Sequence, residues 1–162
     1  MMAKKRKVTV ITGHAQFASE NMLQVPSSEE KTQTIRFRHA IIATGSRPIK
    51  LPFLPKDPRI FDSTGALELT HTKGHLLIIG GGVIGCEMAT IYRSLGMEVS
   101  IVEMQDQLMP GADKDVVKPC QKIMQQRGIS IHVNTQVVSV SAEKKHLTVQ
   151  LKDAKGHEST QH

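Results

Sequence analysis

The residues best suited to chemistry are three glycines and two acids. Gly80, Gly82 and Gly85 form the pattern G-x-G-x-x-G in the run Gly80-Gly81-Gly82-Val83-Ile84-Gly85, and Glu103 lies 23 residues after Gly80. Alone, the glycine pattern is weak. It gains force here because it follows an apolar run, opens a helical pattern and leads to an acid at the end of the next apolar run. Gly80 permits a tight turn, and Gly82 removes a side chain so that a pyrophosphate can approach the backbone. Gly85 lets a helix pack closely on a strand. The unpaired N–H groups and positive dipole end at the helix start then suit phosphate groups.

Glu103 is spaced to accept hydrogen bonds from an adenosine ribose. Met104, Gln105 and Asp106 offer no cation for a 2′-phosphate, so the pattern favours NAD over NADP. An arginine at 103 should invert that preference. Glu87 is expected in the first helical turn, where it either steadies the helix dipole or sits beside the nicotinamide.

Other chemistry is poorly supported. Cys86 and Cys120, 34 positions apart, match no redox or metal spacing and read as small apolar residues. Asp106, Asp113 and Asp115 are better explained by helix capping and a solvated face than by a metal. The eight histidines read as surface or turn residues. Aromatic residues make up 3% of the chain, too few for a base-stacking nucleic-acid platform. The net charge of +6 owes much to Lys4, Lys5, Arg6 and Lys7 and reads as a solvated terminus. No stretch approaches the roughly 18 apolar residues of a membrane span, and a cytoplasmic location is expected.

The elements that must hold the glycine turn follow from periodicity. Leu76–Ile79 and Val99–Val102 are short apolar runs expected as buried parallel strands. Between them Val83, Ile84, Ala89, Ile91, Tyr92 and Leu95 recur at helical spacing, with Gly96 as the stop. A second helix is expected from Ala112 or Asp113 to Arg127, stopped by Gly128. Strands at Ile129–Val133, Gln136–Val140 and Leu147–Leu151 follow. The fold class is therefore α/β: a Rossmann-like βαβαβ unit with an antiparallel hairpin appended.

Upstream, residues 7–38 alternate like a β-meander. Val8, Val10 and Ile11 form its first strand, followed by Gln16–Ala18, Met22–Val25, a polar Ser/Glu/Lys loop and Thr34–Arg38. Ala40–Ala43 reads as a strand buried on both faces. Pro48, Pro52, Pro55 and Pro58 then mark a connector. These boundaries suggest a first segment 1–50, a connector 51–69 and a nucleotide-binding unit 70–162.

The run Ala40-Ile41-Ile42-Ala43-Thr44-Gly45-Ser46-Arg47-Pro48, the segment Asp62-Ser63-Thr64-Gly65-Ala66-Leu67 and the glycine turn with Glu87 together resemble the middle of the dihydrolipoamide dehydrogenase family. Glu103–Gln107 and Ala112–Asp115 resemble its bacterial pyruvate-dehydrogenase-complex form. Soluble transhydrogenase and other flavoprotein disulfide reductases are similar in plan. The resemblance implies that the meander and the Ala40 strand belong to an FAD domain and that the glycine turn belongs to an inserted NAD domain. It implies Thr44, Gly45 and Ser46 against the flavin nucleotide, with Ala15 at a backbone contact. Gly80, Gly82, Val83, Ile84, Gly85 and Glu87 would line the NAD pyrophosphate and nicotinamide side. Glu103 would take the ribose, and Val137 would border the adenine.

It further implies FAD and NAD as cofactors, a homodimeric parent, and lipoyl-bearing 2-oxoacid dehydrogenase components as partners. The family's redox cysteine pair and catalytic histidine are absent from these 162 residues. The resemblance thus implies an internal piece of the enzyme, with the NAD unit lacking its last strand and no turnover on its own. The alternative reading is a non-catalytic NAD-binding or interaction module.

Overall fold

A computed structural model describes residues 2–26 and 32–162; the polar loop expected after Val25 falls largely outside the described residues. The chain divides into two units, Met1–Ser46 and Arg47–His162.

The first unit begins with a single helical turn, α1 (Met2–Lys5). It then forms an antiparallel meander of β1 (Gln16–Ser19), β2 (Met22–Pro26) and β3 (Thr32–Arg36). The hairpin turn at Glu20-Asn21 leads into pairing of Phe17 with Leu23 and of Leu23 with Ile35. Phe17 also meets Phe37 edge-on at 6.0 Å.

Two expectations need correction here. Val8, Val10 and Ile11 form no strand: the α1 turn takes up the local backbone bonding, with Val8 N donating to Ala3 O, and the run stays exposed. Ala40–Ala43 is not a buried strand either. Ile41 and Ile42 are 94% and 71% exposed, and the segment pairs with no described strand. An apolar run reports a capacity for burial; the ladder partner that makes it a strand must come from elsewhere.

The second unit carries the α/β fold. β4 (His75–Ile79), β5 (Glu98–Val102) and β6 (Ile129–His132) form a parallel sheet in that order. α3 (Val83–Ser94) and α4 (Lys114–Gln126) are the crossovers. Gly96 and Gly128 follow the two helices with φ of +94° and +83°, the left-handed geometry that favours glycine at a helix stop. Ala89, Tyr92, Val99, Ile101, Val117, Met124 and Ile129 form the helix-side core. The Tyr92 hydroxyl donates to Ala66 O at 2.8 Å, tying α3 to the short helix α2 (Ser63–Ala66), which Asp62 caps.

The other face of β5 packs through Val102 on Val137, Val149 and Leu151. Those residues belong to an antiparallel sheet of β7 (Thr135–Ala142), β8 (Leu147–Asp153) and β9 (Glu158–Gln161). The expected hairpin is therefore a three-stranded sheet. β9 escapes sequence reading because Glu-Ser-Thr-Gln carries no apolar alternation. Arg59 links the proline-rich segment to this sheet, bonding Asp57 through two nitrogens at 2.8 Å and Glu143 O at 2.8 Å. No helix among the described residues is long and apolar enough to cross a membrane.

Candidate functional site: the glycine turn between β4 and α3

β4 delivers the chain to Gly80, whose N–H continues the sheet by donating to Val102 O at 2.8 Å. The turn there needs φ +108°, which glycine adopts without steric cost. Gly82 is the N-cap of α3 and supplies no side-chain cap bond. The first backbone closure of the helix is Cys86 N to Gly82 O at 3.0 Å. The first-turn N–H groups of α3 thus have no side-chain acceptor, and a Cβ added at Gly82 would meet nothing within 4 Å. Open space in front of uncapped helix donors is the arrangement that receives an anion. A Cβ at Gly85 would collide with the Gly80 carbonyl oxygen and touch Ile78 Cγ2 at 3.4 Å, so its absence is what lets α3 lie on β4.

Glu103 directly follows β5 beside the turn and is 6% exposed. Its Oε2 accepts from Gly81 N at 2.7 Å, and its Oε1 accepts from Gln105 N at 2.8 Å. A carboxylate offers about four acceptor positions, and these two bonds fill about half of them. Sequence reasoning misses this internal role, and it misses Gly81 altogether, because the fingerprint leaves that position open. A Cβ at Gly81 would lie 2.5 Å from Leu108 Cδ2 and 3.1 Å from Glu103 Cβ.

Val83 and Ile84 are 59% and 58% exposed at the mouth of the turn, and Ile91 and Leu95 are also exposed. The buried stripe of α3 is Cys86, Ala89 and Tyr92. Helical spacing alone therefore assigns too many residues to the core. Glu87 is exposed and is the fifth residue of α3; the first turn holds no acid, contrary to the sequence expectation. Val137 lies in β7 with its side chain in the second apolar cluster. The residues expected at the flavin lie in the first unit. Ala15 precedes β1, and Thr44, Gly45 and Ser46 are exposed, with Gly45 at φ +76°.

Other candidates carry less. Among the described residues no group of three His, Cys, Asp or Glu is arranged for a metal. Asp106 pairs with Lys114 at 2.6 Å, which lowers its pKa, and Asp113 is the N-cap of α4 without a side-chain cap bond. Both cysteines are free. Cys86 is buried, which pushes its thiol up to about 11, and Cys120 packs against the same core. His75 and His132 lie in strands, and His75 Nε2 is 2.9 Å from Ser100 Oγ.

Comparison with known proteins places the fold in a family. The pyridine nucleotide-disulphide oxidoreductase family matches residues 1–160, and the chain belongs to that family. Among curated relatives it is 52% identical to the dihydrolipoyl dehydrogenase of Vibrio cholerae over 143 residues, covering 88% of this chain and 30% of that protein. It is 48% identical to the Haemophilus influenzae dihydrolipoyl dehydrogenase over 143 residues, with 88% and 30% covered. The solved HOCl-induced flavoprotein disulfide reductase RclA of Escherichia coli superposes with a TM-score of 0.71 at 29% identity, over 98% of this chain and 35% of that one. The chain thus spans about a third of the length of the proteins it matches. The family is one of oxidoreductases, and its cofactors are a flavin and a pyridine nucleotide.

Proposed function

We propose that the second unit binds NAD at the glycine turn, as the nicotinamide-nucleotide site of an FAD- and NAD-dependent dihydrolipoyl dehydrogenase. The observation that carries the reading is the conjunction at one turn. Uncapped helix donors face open space at Gly82, and a carboxylate with free acceptor positions closes the far side at Glu103.

In this assignment the N–H groups of Val83, Ile84 and Gly85 take the pyrophosphate, and Glu103 takes the adenosine ribose. The exposed Val83 and Ile84 side chains cover the dinucleotide, Glu87 faces the nicotinamide end, and the backbone at Val137 borders the adenine. Ala15, Thr44, Gly45 and Ser46 contact the flavin nucleotide of the whole enzyme. NAD there supplies the hydride acceptor for reoxidising protein-bound dihydrolipoamide by way of FAD. The 52% identity to a dihydrolipoyl dehydrogenase favours that substrate over those of other flavoprotein disulfide reductases. The whole enzyme's partners are the lipoyl-bearing components of a 2-oxoacid dehydrogenase complex, and it acts as a homodimer. The 162-residue chain alone, with no paired redox cysteines, does not turn over dihydrolipoamide.

Calorimetric titration of the chain with NAD and with NADP tests the cofactor assignment. NAD should bind more tightly, because a 2′-phosphate meets the Glu103 carboxylate and no compensating cation. Equal affinities, or tighter NADP, would overturn the assignment.

A further inference from the structure

We propose that Met109, which lies outside the glycine fingerprint, is a positioning residue for the dinucleotide site. The inference rests on the NAD reading of the turn and adds to it the element that sets the turn's shape. After Glu103 the chain doubles back over the glycines. Leu108 is 0% exposed and seals the space over Gly81. Met109 N then donates to Gly81 O at 2.7 Å, while Gly81 N donates to Glu103 Oε2 at 2.7 Å. Both polar groups of Gly81 are therefore held by the segment that joins β5 to α4. With those peptides pinned, the following N–H groups at the start of α3 have one direction in which to point.

The segment is itself tied down. Asn134 N donates to Gln105 O at 2.8 Å, Ala112 N to Met109 O at 3.0 Å, and Gln107 Nε2 to Ala112 O at 2.9 Å.

The clamp depends on an unusual backbone. Met109 has φ +47°, a left-handed conformation outside glycine, and its side chain packs against the helix-side core. An unbranched side chain tolerates this φ at some cost, whereas a β-branched one is a severe misfit. The identity of residue 109 thus reaches the phosphate site through one N–H group, without touching the ligand.

The test compares Met109→Val with Met109→Gly in the full chain. Both remove the thioether packing, but only glycine accepts the left-handed φ freely. NAD affinity of Met109→Gly should fall less than that of Met109→Val, because glycine keeps the left-handed φ that aims the residue 109 N–H at Gly81. Met109→Val should raise the dissociation constant about five- to thirtyfold, equivalent to ~1–2 kcal/mol of backbone strain. Amide exchange supplies a second readout. In Met109→Val the amide of residue 109, the donor to Gly81 O, should lose protection while Ile101, in the middle of β5, keeps its own. Equal NAD affinity and equal protection of the residue 109 amide in the two variants would overturn the proposal. If the parent chain binds no NAD, the function reading falls, and the protection of the residue 109 amide still decides the clamp.

Discussion

Replacing Glu103 by glutamine puts an amide nitrogen where a carboxylate oxygen now accepts a backbone N–H. The acceptors at stake are Oε2, 2.7 Å from Gly81 N, and Oε1, 2.8 Å from Gln105 N. Glutamine can satisfy one of these donors and must face the other with a second donor. A buried N–H left without its acceptor costs about 1–3 kcal/mol. For a chain of this length each kcal/mol moves the melting temperature by roughly 2–4 °C, so a mid-range loss of ~2 kcal/mol gives about 4–8 °C.

NAD binding should weaken as well, because a ribose hydroxyl exchanges a charged acceptor for a neutral one. The difference of ~1 kcal/mol is roughly fivefold in affinity. Glu103→Arg should do worse. The sequence alone suggests that it would favour NADP, yet at a position only 6% exposed a guanidinium is buried beside the Gly81 donor. That variant should lose both nucleotides. Thermal melts and calorimetry on the purified variants check each value. Unchanged melting of Glu103→Gln, with unchanged exchange at Gly81, would refute the reasoning.

Three further outcomes follow from local geometry. Gly85→Ala drives a Cβ into the Gly80 carbonyl and should destabilise the chain by about 1–3 kcal/mol in denaturant melts, with loss of NAD binding. The Arg59 guanidinium holds the Asp57 carboxyl down from 3.8 to about 2. Because the folded value lies below the unfolded one, the stability this pair contributes is present above about pH 4 and lost as pH falls towards 2. Arg59→Ala should therefore flatten the stability curve between those limits, and parallel curves for parent and variant would contradict the assignment. The Cys86 thiol, pushed up to about 11 mainly by burial, should resist alkylation near pH 8 until the chain unfolds, read by mass spectrometry of peptides against Cys120.

Much of the nucleotide unit is legible in the sequence because its constraints are backbone constraints. Gly80 needs a positive φ, Gly82 an open approach and Gly85 a missing Cβ, and each need names the same residue type. The helix stops at Gly96 and Gly128 are legible for the same reason. What escapes reading depends on neighbours distant in sequence. Gly81 is set by Leu108 and Glu103, and the apolar run at Ala40 lacks a ladder among the described residues. Ile84, Ile91 and Leu95 share the spacing of core residues, yet only packing shows that they face outward. β9 is polar throughout and forms only because β8 offers it an edge.

The most direct test of the NAD assignment is a titration of the isotope-labelled chain with NAD, followed amide by amide. The account predicts saturable shifts at Gly82, Val83, Ile84 and Gly85 and at the backbone of Glu103 and Gln105. The meander strands β1, β2 and β3 should stay unmoved. Shifts confined to residues away from the glycine turn, or none at millimolar NAD, would contradict it.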